Sequence, residues 1–388
     1  MGAGSKINKL LYHASFRTAI HTKNRHHRKS MERVNRALAR SVTEGWDREQ
    51  RREEYLAKVV PYWKPFGRRP ERFWFELAGS RDQKMDPRFI PSDLYYNELL
   101  PYINNLPFRW ALEDKSYLDQ RFPDVKQPRT VCRRIAGEYY NNTMEMIQEE
   151  EAVRLCREHD GEIFIKPSMY SGFGLGIQRF DPAGCTDAQI KGYFEATGSN
   201  CIVQKKIKQH ASLAALNPNS VCTVRVLSLL AQGEVHIPLT YLRVGAAGSS
   251  HVEVGDEYNI EILPDGRLHP KAWYDGGYWI DAHKEGLIDE TTIIPGIDRI
   301  CAEVRRLHPG IGHFKWIGWD FTLDEDGDPL LIEINSTPGD HAQRVCGRPL
   351  FGEMTDWLLE DYFKNRTMED FQIRGSWTGS KDIQKYRE

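Results

Sequence analysis

Lys315-Trp-Ile-Gly-Trp-Asp320-Phe-Thr-Leu-Asp324-Glu-Asp-Gly327-Asp-Pro-Leu-Leu-Ile-Glu333-Ile-Asn335 decides the reading of this chain. Two apolar runs flank an acidic Asp-Gly turn, the strongest short-range signal for a β-hairpin. Strand periodicity puts Glu333 and Asn335 on one face, and the turn brings Asp320 beside it. Two carboxylates and a carboxamide oxygen so gathered suit a hard divalent cation, above all Mg²⁺, which keeps few protein ligands. Isolated acidic residues on strands are as often structural. The turn fails the calcium-loop template, because its sixth position is Pro329 and its twelfth is Asn335.

Upstream, Ile163-Phe-Ile-Lys166 reads as a strand ending in a cation, followed by the glycine loop Ser171-Gly172-Phe-Gly174-Leu-Gly176 and a second strand over 175–180. Lysine offers a point charge to phosphate, and glycines let backbone N–H groups approach it. A plain glycine-rich hairpin is the bland alternative. Cys201-Ile-Val-Gln204-Lys205-Lys206-Ile207 reads as a third strand, either an ordinary edge or one offering backbone groups to a nucleobase. Arg225 stands among apolar neighbours in Thr223-Val-Arg-Val, where a guanidinium needs an anion or must snorkel to water.

The pattern elsewhere predicts helices over 30–60, 145–159, 186–197, 293–308 and 350–363. It also predicts short helices over 93–121, and a long hairpin over 221–244 turning at Gly233. Residues 61–92 are dense in proline and aromatics, which argues against a long regular element and fits a packed linker or a substrate-facing lobe. The mixture indicates an α+β protein with antiparallel sheets. The expected organisation is a basic helical extension and Pro/aromatic linker over 1–92, N-terminal and central lobes over 93–207, a C-terminal lobe over 208–365 and a tail over 366–388.

The 388 residues, 40% hydrophobic and 28% charged, exclude a wholly disordered chain. No apolar run approaches the ~18–20 residues that cross a bilayer. Seven dispersed cysteines contain no CxxC pair, so buried thiols in a reducing cytoplasm are the expectation. Residues 1–52 hold 13 basic and 4 acidic residues, a net of +9, and the remainder carries −11. Arg33, Arg36 and Arg40 share much of one helix face, which reads either as a solvated surface or as a dock for a phosphorylated ligand, an acidic partner or a membrane. No nucleic-acid-binding signature accompanies them.

Taken in order, these pieces resemble the ATP-grasp superfamily, and most closely its sugar-transfer-associated family. Leu112-Glu-Asp-Lys115, Val203-Gln-Lys-Lys-Ile-Lys-Gln-His210, Leu216-Asn-Pro-Asn-Ser-Val-Cys-Thr-Val-Arg225, Ile317-Gly-Trp-Asp-Phe321, Leu331-Ile-Glu-Ile-Asn-Ser-Thr-Pro-Gly339 and Pro349-Leu-Phe-Gly352 carry the likeness, across roughly residues 90–365. The resemblance implies an ATP-grasp fold with ATP clasped between two α+β lobes. Lys115 and Lys166 would hold the α- and β-phosphates, and Ser171, Gly172, Gly174 and Gly176 would close over the β- and γ-phosphates. Gln204, Lys205, Lys206 and Ile207 would meet adenine, with Leu331 packed beneath it. Asp320, Glu333 and Asn335 would bind one or two Mg²⁺, with Mn²⁺ as a substitute. Arg225, with Lys166, would serve catalysis by neutralising the transferred phosphate. The implied activity is an ATP-dependent carboxylate–amine ligase of surface-polysaccharide synthesis, joining an amino acid or small amine to a uronic acid or nucleotide-linked sugar. A peptide ligase is the enzymatic rival, and a non-catalytic binding module built on the basic N-terminus the other. The sequence departs from many relatives between Arg243 and Leu268, where their Gly-Gly pair is absent, and that segment bears on the acceptor. The oligomeric state stays open, a dimer being compatible.

Overall fold

The computed structural model describes residues 25–169, 175–246 and 256–366. The described chain begins on helix α1 (Arg25–Val42). A six-stranded sheet follows, built from β1 (Thr130–Ile135), β2 (Glu138–Asn141), β3 (Met146–Ile147), β4 (Ile163–Pro167), β5 (Gln178–Phe180) and β6 (Cys201–Lys205), in the order β3-β2-β1-β6-β4-β5. A seven-stranded sheet holds β7 (Thr223–Ala231), β8 (Glu234–Gly245), β9 (Glu257–Ile262), β10 (Leu268–Tyr274), β11 (Tyr278–Asp281), β12 (Trp316–Leu323) and β13 (Pro329–Asn335), in the order β11-β10-β9-β8-β7-β12-β13. Among the described residues every strand pairing is antiparallel, so the expected α+β class with antiparallel sheets is what the chain adopts.

The six-stranded sheet buries one face against two helices, α2 (Glu149–Arg157) and α3 (Asp187–Thr197). Ile163, Ile165 and Val203 meet Val153, Cys156, Ile190 and Phe194 there. Helix α3 starts in a capping box, in which Thr186 and Gln189 satisfy each other's backbone N–H.

The seven-stranded sheet is covered on both faces, which is why β12 is buried along its whole length. On one face Val224, Val226, Ile317, Trp319 and Phe321 pack against Ile300, Val304 and Leu307 of α4 (Ile297–Leu307). On the other, Leu227, Leu229, Tyr241, Trp273 and Trp316 meet Trp63, Phe73, Trp74 and Phe75, with Leu358 and Leu359 of α5 (Thr355–Asn365). The Pro/aromatic stretch therefore belongs to the core layer of this sheet. Each large apolar side chain so enclosed contributes about 1.5–3 kcal/mol relative to exposure.

Several elements differ from the sequence expectation in their bounds. The helix expected over 30–60 is two: α1 ends at Val42, and Asp47 caps a second by accepting from the Glu49 and Gln50 N–H groups. The segment expected to be helical from Glu145 opens with the short strand β3, which pairs with β2 before α2 begins at Glu149. The second strand after the glycine loop starts at Gln178 rather than Leu175. The closing helix starts at Thr355, after a 3₁₀ turn over Gly352–Met354.

Candidate functional site

A cavity of about 360 Å³ lies where the two sheets approach each other. Lys166 enters it from the end of β4, and Gln204 to Ile207 run along it as β6 leaves its sheet. Lys115 comes from a 3₁₀ turn whose start is capped by the Asp114 side chain, and its backbone N–H donates to the Ser168 carbonyl at 3.0 Å. Thr223, Arg243, Asp320, Ile332 and Glu333 face it from the seven-stranded sheet.

Register builds the site. Tyr241, Arg225, Asp320 and Glu333 are successive cross-strand partners on β8, β7, β12 and β13. Directly opposed residues share one face of a sheet, so one row sets a phenol, a guanidinium and two carboxylates side by side. Arg225 donates through Nε and Nη2 to the two Asp320 oxygens, the Nη2 bond being 2.7 Å. Arg243 adds a contact to Asp320 at 3.7 Å and is itself held by Glu257 at 2.7 Å. Burial opposes the charge on Arg225, but Asp320 outweighs it, and the Arg225 pKa is raised above its ordinary value. Burial likewise pushes Asp320 towards its neutral acid, while the paired guanidinium donors favour the carboxylate. Gly318 makes room for this pair: a Cβ there would lie 3.3 Å from Arg225 Cδ and 3.1 Å from Pro338 Cβ.

Glu333 ends the row near the opening, its side chain 32% exposed, with Lys115 Nζ 3.1 Å from its Oε2. Burial would raise its pKa, but Lys115, Lys166 and Arg225 outweigh that and hold it down at about 2. Lys166 has no carboxylate partner within ion-pair distance among the described residues. Burial first, then the neighbouring Lys115, push it down to about 8, against the pull of Glu333. Two cations and two carboxylates from different lobes thus converge without fully neutralising one another, the arrangement expected where a polyanion and a cation complete the site.

Leu331 requires a correction. Strict alternation puts it on the face of Glu333, under a base. The pairing instead shifts between Asp320–Glu333 and Phe321–Leu331, which leaves Ile332 as the extra residue of a β-bulge. Leu331 is turned into the core beside Trp319 and Phe321, fully buried. Ile332 lines the cavity next to Glu333 in its place.

The other expected residues distribute as follows. Gln204 Nε2 donates to the Pro128 carbonyl at 3.3 Å, and Lys206 pairs with Glu162 at 2.6 Å. The Lys205 N–H donates to the Arg129 carbonyl at 2.9 Å. Asn335 Oδ1 accepts from the Thr337 N–H at 2.8 Å and its hydroxyl at 3.3 Å, closing a turn on itself. Gly176 holds φ +79°, and a Cβ there would sit 2.9 Å from Pro167 Cγ. Ser171, Gly172 and Gly174 lie outside the described residues. The acidic turn is satisfied by protein cations: Lys126 reaches Asp324 at 2.9 Å and Asp328 at 2.5 Å, and Arg299 reaches Asp328 at 3.0 Å. Among the described residues no group of three or more His, Cys, Asp or Glu gathers as a metal cluster. Sequence reasoning missed Arg243 and Ile332. Arg243, in Tyr241-Leu-Arg-Val, carries the same signal as Arg225, a charge inside an apolar strand.

Residues 190–356 match the family model described as sugar-transfer associated ATP-grasp. A D-alanine–D-alanine ligase of Parabacteroides distasonis is 34% identical over 99 residues, 22% of this chain and 29% of that protein. Among solved structures the chain is similar to the VanG D-Ala:D-Ser ligase of Enterococcus faecalis, with 15% identity over 66% of this chain and 63% of that one and a TM-score of 0.41. It is also similar to the L-amino acid ligase of Bacillus licheniformis, with 13% identity over 70% and 52% and a TM-score of 0.38. The matched stretch thus spans under a third of the curated relative and less than two thirds of either solved one. The matched stretch of the family model includes Gln204, Arg225, Arg243, Asp320, Glu333 and Asn335.

Proposed function

We propose that the chain is an ATP-dependent carboxylate–amine ligase working in the cleft between its two sheets. The observation that carries this reading is the convergence of Lys115 and Lys166 with Asp320 and Glu333 in one cavity. Lys115 and Lys166 hold the α- and β-phosphates, and the backbone from Gln204 to Ile207 meets the adenine edge. Ile332 supplies the apolar contact for the ring. A hard divalent cation fits the two carboxylates by donor type, since Asp320 and Glu333 are direct cross-strand partners on the cavity wall. When bound, Mg²⁺ would screen the phosphate charge. Asp320 joins that set only with lone pairs its oxygens do not give to Arg225, and Asn335 only by giving up its bonds to Thr337.

The reaction must bring two anions together, so charge control is the main demand. A substrate carboxylate oxygen attacks the γ-phosphorus, the bond to the β-phosphate oxygen breaks, and ADP leaves. The amine nitrogen then attacks the acyl carbon, phosphate departs, and the nitrogen loses its proton. Arg243, on the cavity wall, faces the charge that develops on the transferred phosphate. Arg225, which donates to both Asp320 oxygens, fixes that side chain in place. The substrates proposed are a uronic acid or nucleotide-linked sugar and an amino acid or small amine, as the family description supports. No described helix is long and apolar enough to cross a membrane.

The test is ADP release against panels of uronates, sugar nucleotides and amino acids, with Glu333→Gln as control. Substrate-dependent ADP formation in the wild type and almost none in the variant is the expected result. Full activity in the variant would remove the assigned role of Glu333. Activity restricted to amino acids or peptides would favour the peptide-ligase reading.

A further inference from the structure

A second cavity, of about 1080 Å³, opens beside α1 and shares no lining residue with the nucleotide cleft. Seven arginines line it against three glutamates. Two of those glutamates are taken: Arg36 holds Glu71 at 3.2 Å, and Arg72 holds Glu76 at 2.9 Å. The aromatic walls are also covered, with Arg36 over Phe73 at 4.4 Å and Arg51 over Trp46 at 4.8 Å. An apolar or stacking ligand therefore finds little free surface. Arg52 is held by Glu49 at 2.8 Å, which leaves Arg40, Arg48 and Arg69 exposed, with no carboxylate and no hydrogen-bond acceptor for their guanidinium groups among the described residues. The basic surface continues along α1 through Lys29 and Arg33, in a groove that shares Arg36 and Arg40 with the cavity.

Unpaired guanidinium forks match the paired oxygens of phosphate better than any neutral ligand. Three of them exceed what one phosphate requires. The volume is that of a site for a nucleotide-sized molecule rather than an inorganic ion. We propose that this cavity binds an organic diphosphate, with Arg40, Arg48 and Arg69 contacting its two phosphoryl groups. The site is independent of the ligase reading, because neither its residues nor its geometry belong to the nucleotide cleft. A soluble nucleotide-linked diphosphate and a lipid-linked one share this chemistry.

The test is calorimetric titration of the full chain with inorganic pyrophosphate, using wild type, Lys166→Ala, Arg48→Ala/Arg69→Ala and Arg48→Lys/Arg69→Lys, each checked for an unchanged thermal transition. Lys166→Ala should keep the site's affinity, since it alters only the cleft. The double alanine variant should bind at least about tenfold more weakly, from the loss of two charge-assisted contacts, and the lysine variant should recover part of that. Parallel titrations with a nucleoside diphosphate sugar and with vesicles bearing a polyprenyl diphosphate separate the soluble from the lipid-linked source. Affinity unchanged in the double alanine variant, or abolished in Lys166→Ala, would overturn the proposal. So would inorganic phosphate binding as tightly as pyrophosphate, or a single-stranded oligonucleotide binding more tightly than either.

Discussion

Leu331 and Ile332 are neighbours in sequence, but the bulge in β13 gives them opposite work, and alanine at each should separate the two. Leu331 is fully enclosed among Trp319, Phe321 and Ile334. Leu331→Ala removes its branched end from a packed site and should cost about 2–5 kcal/mol of stability. Ile332 is half-buried at the cavity wall, so truncation there leaves the core intact. Deleting its three carbons removes roughly half their burial at about 0.8 kcal/mol per methylene, or ~1–1.5 kcal/mol of contact with a bound base. That is close to tenfold in nucleotide affinity. Urea unfolding reads the first effect as a lowered midpoint, and titration with a fluorescent ATP analogue reads the second. Ile332→Ala should keep the wild-type midpoint and bind about tenfold more weakly, and Leu331→Ala should show the converse. A Leu331→Ala protein of normal stability that binds ATP poorly would refute the bulge and restore simple alternation.

The two carboxylates should part company in the same way. Asp320→Asn leaves the Arg225 charge uncompensated in the core and should cost about 3–5 kcal/mol, whereas Glu333→Gln, beside the opening, should cost no more than ~1 kcal/mol. Urea midpoints within error of each other would contradict that asymmetry. His308 gives a pH signature. Its Nε2 donates to the Phe314 carbonyl at 2.8 Å, and its Nδ1 accepts from the Ser228 hydroxyl, which itself accepts from Trp319 Nε1. Burial pushes the ring down to about 4 from an ordinary 6.5, so the folded state keeps it neutral. The unfolded chain binds the extra proton first, so its stabilising contribution is complete above pH ~6.5 and is lost as pH falls towards ~4, at most about 3 kcal/mol. His308→Gln should flatten that slope in unfolding midpoints compared at pH 7 and pH 5, and an unchanged slope would reject the assignment. Gly176→Ala combines a positive φ with a Cβ against Pro167 and should weaken ATP binding severalfold in the same titration. Binding equal to wild type would show that this backbone turn plays no part in positioning the end of β4.

Local signals carried much of this protein. The Asp-Gly turn and its apolar flanks predict the β12–β13 hairpin because turn chemistry and alternation act over a few residues. The strand ending at Lys166 and the long hairpin turning at Gly233 follow for the same reason. The order of Lys115, Lys166, Gln204, Asp320 and Glu333 was enough to suggest the family. What only the tertiary structure decided is which side chains meet. Tyr241, Arg225, Asp320 and Glu333 form a row because four strands, separated by up to about a hundred residues, pair in one register, and no local pattern encodes register between distant strands. The exchange of Leu331 for Ile332 arises from a bulge, which exists only between paired strands. The anion that Arg225 needs is Asp320, which the sequence could not name because it comes from a neighbouring strand. The arginine-lined cavity has the same origin: α1 shows its basic face in sequence, but Arg69 and Arg72 reach it only once the aromatic segment has packed beneath the seven-stranded sheet.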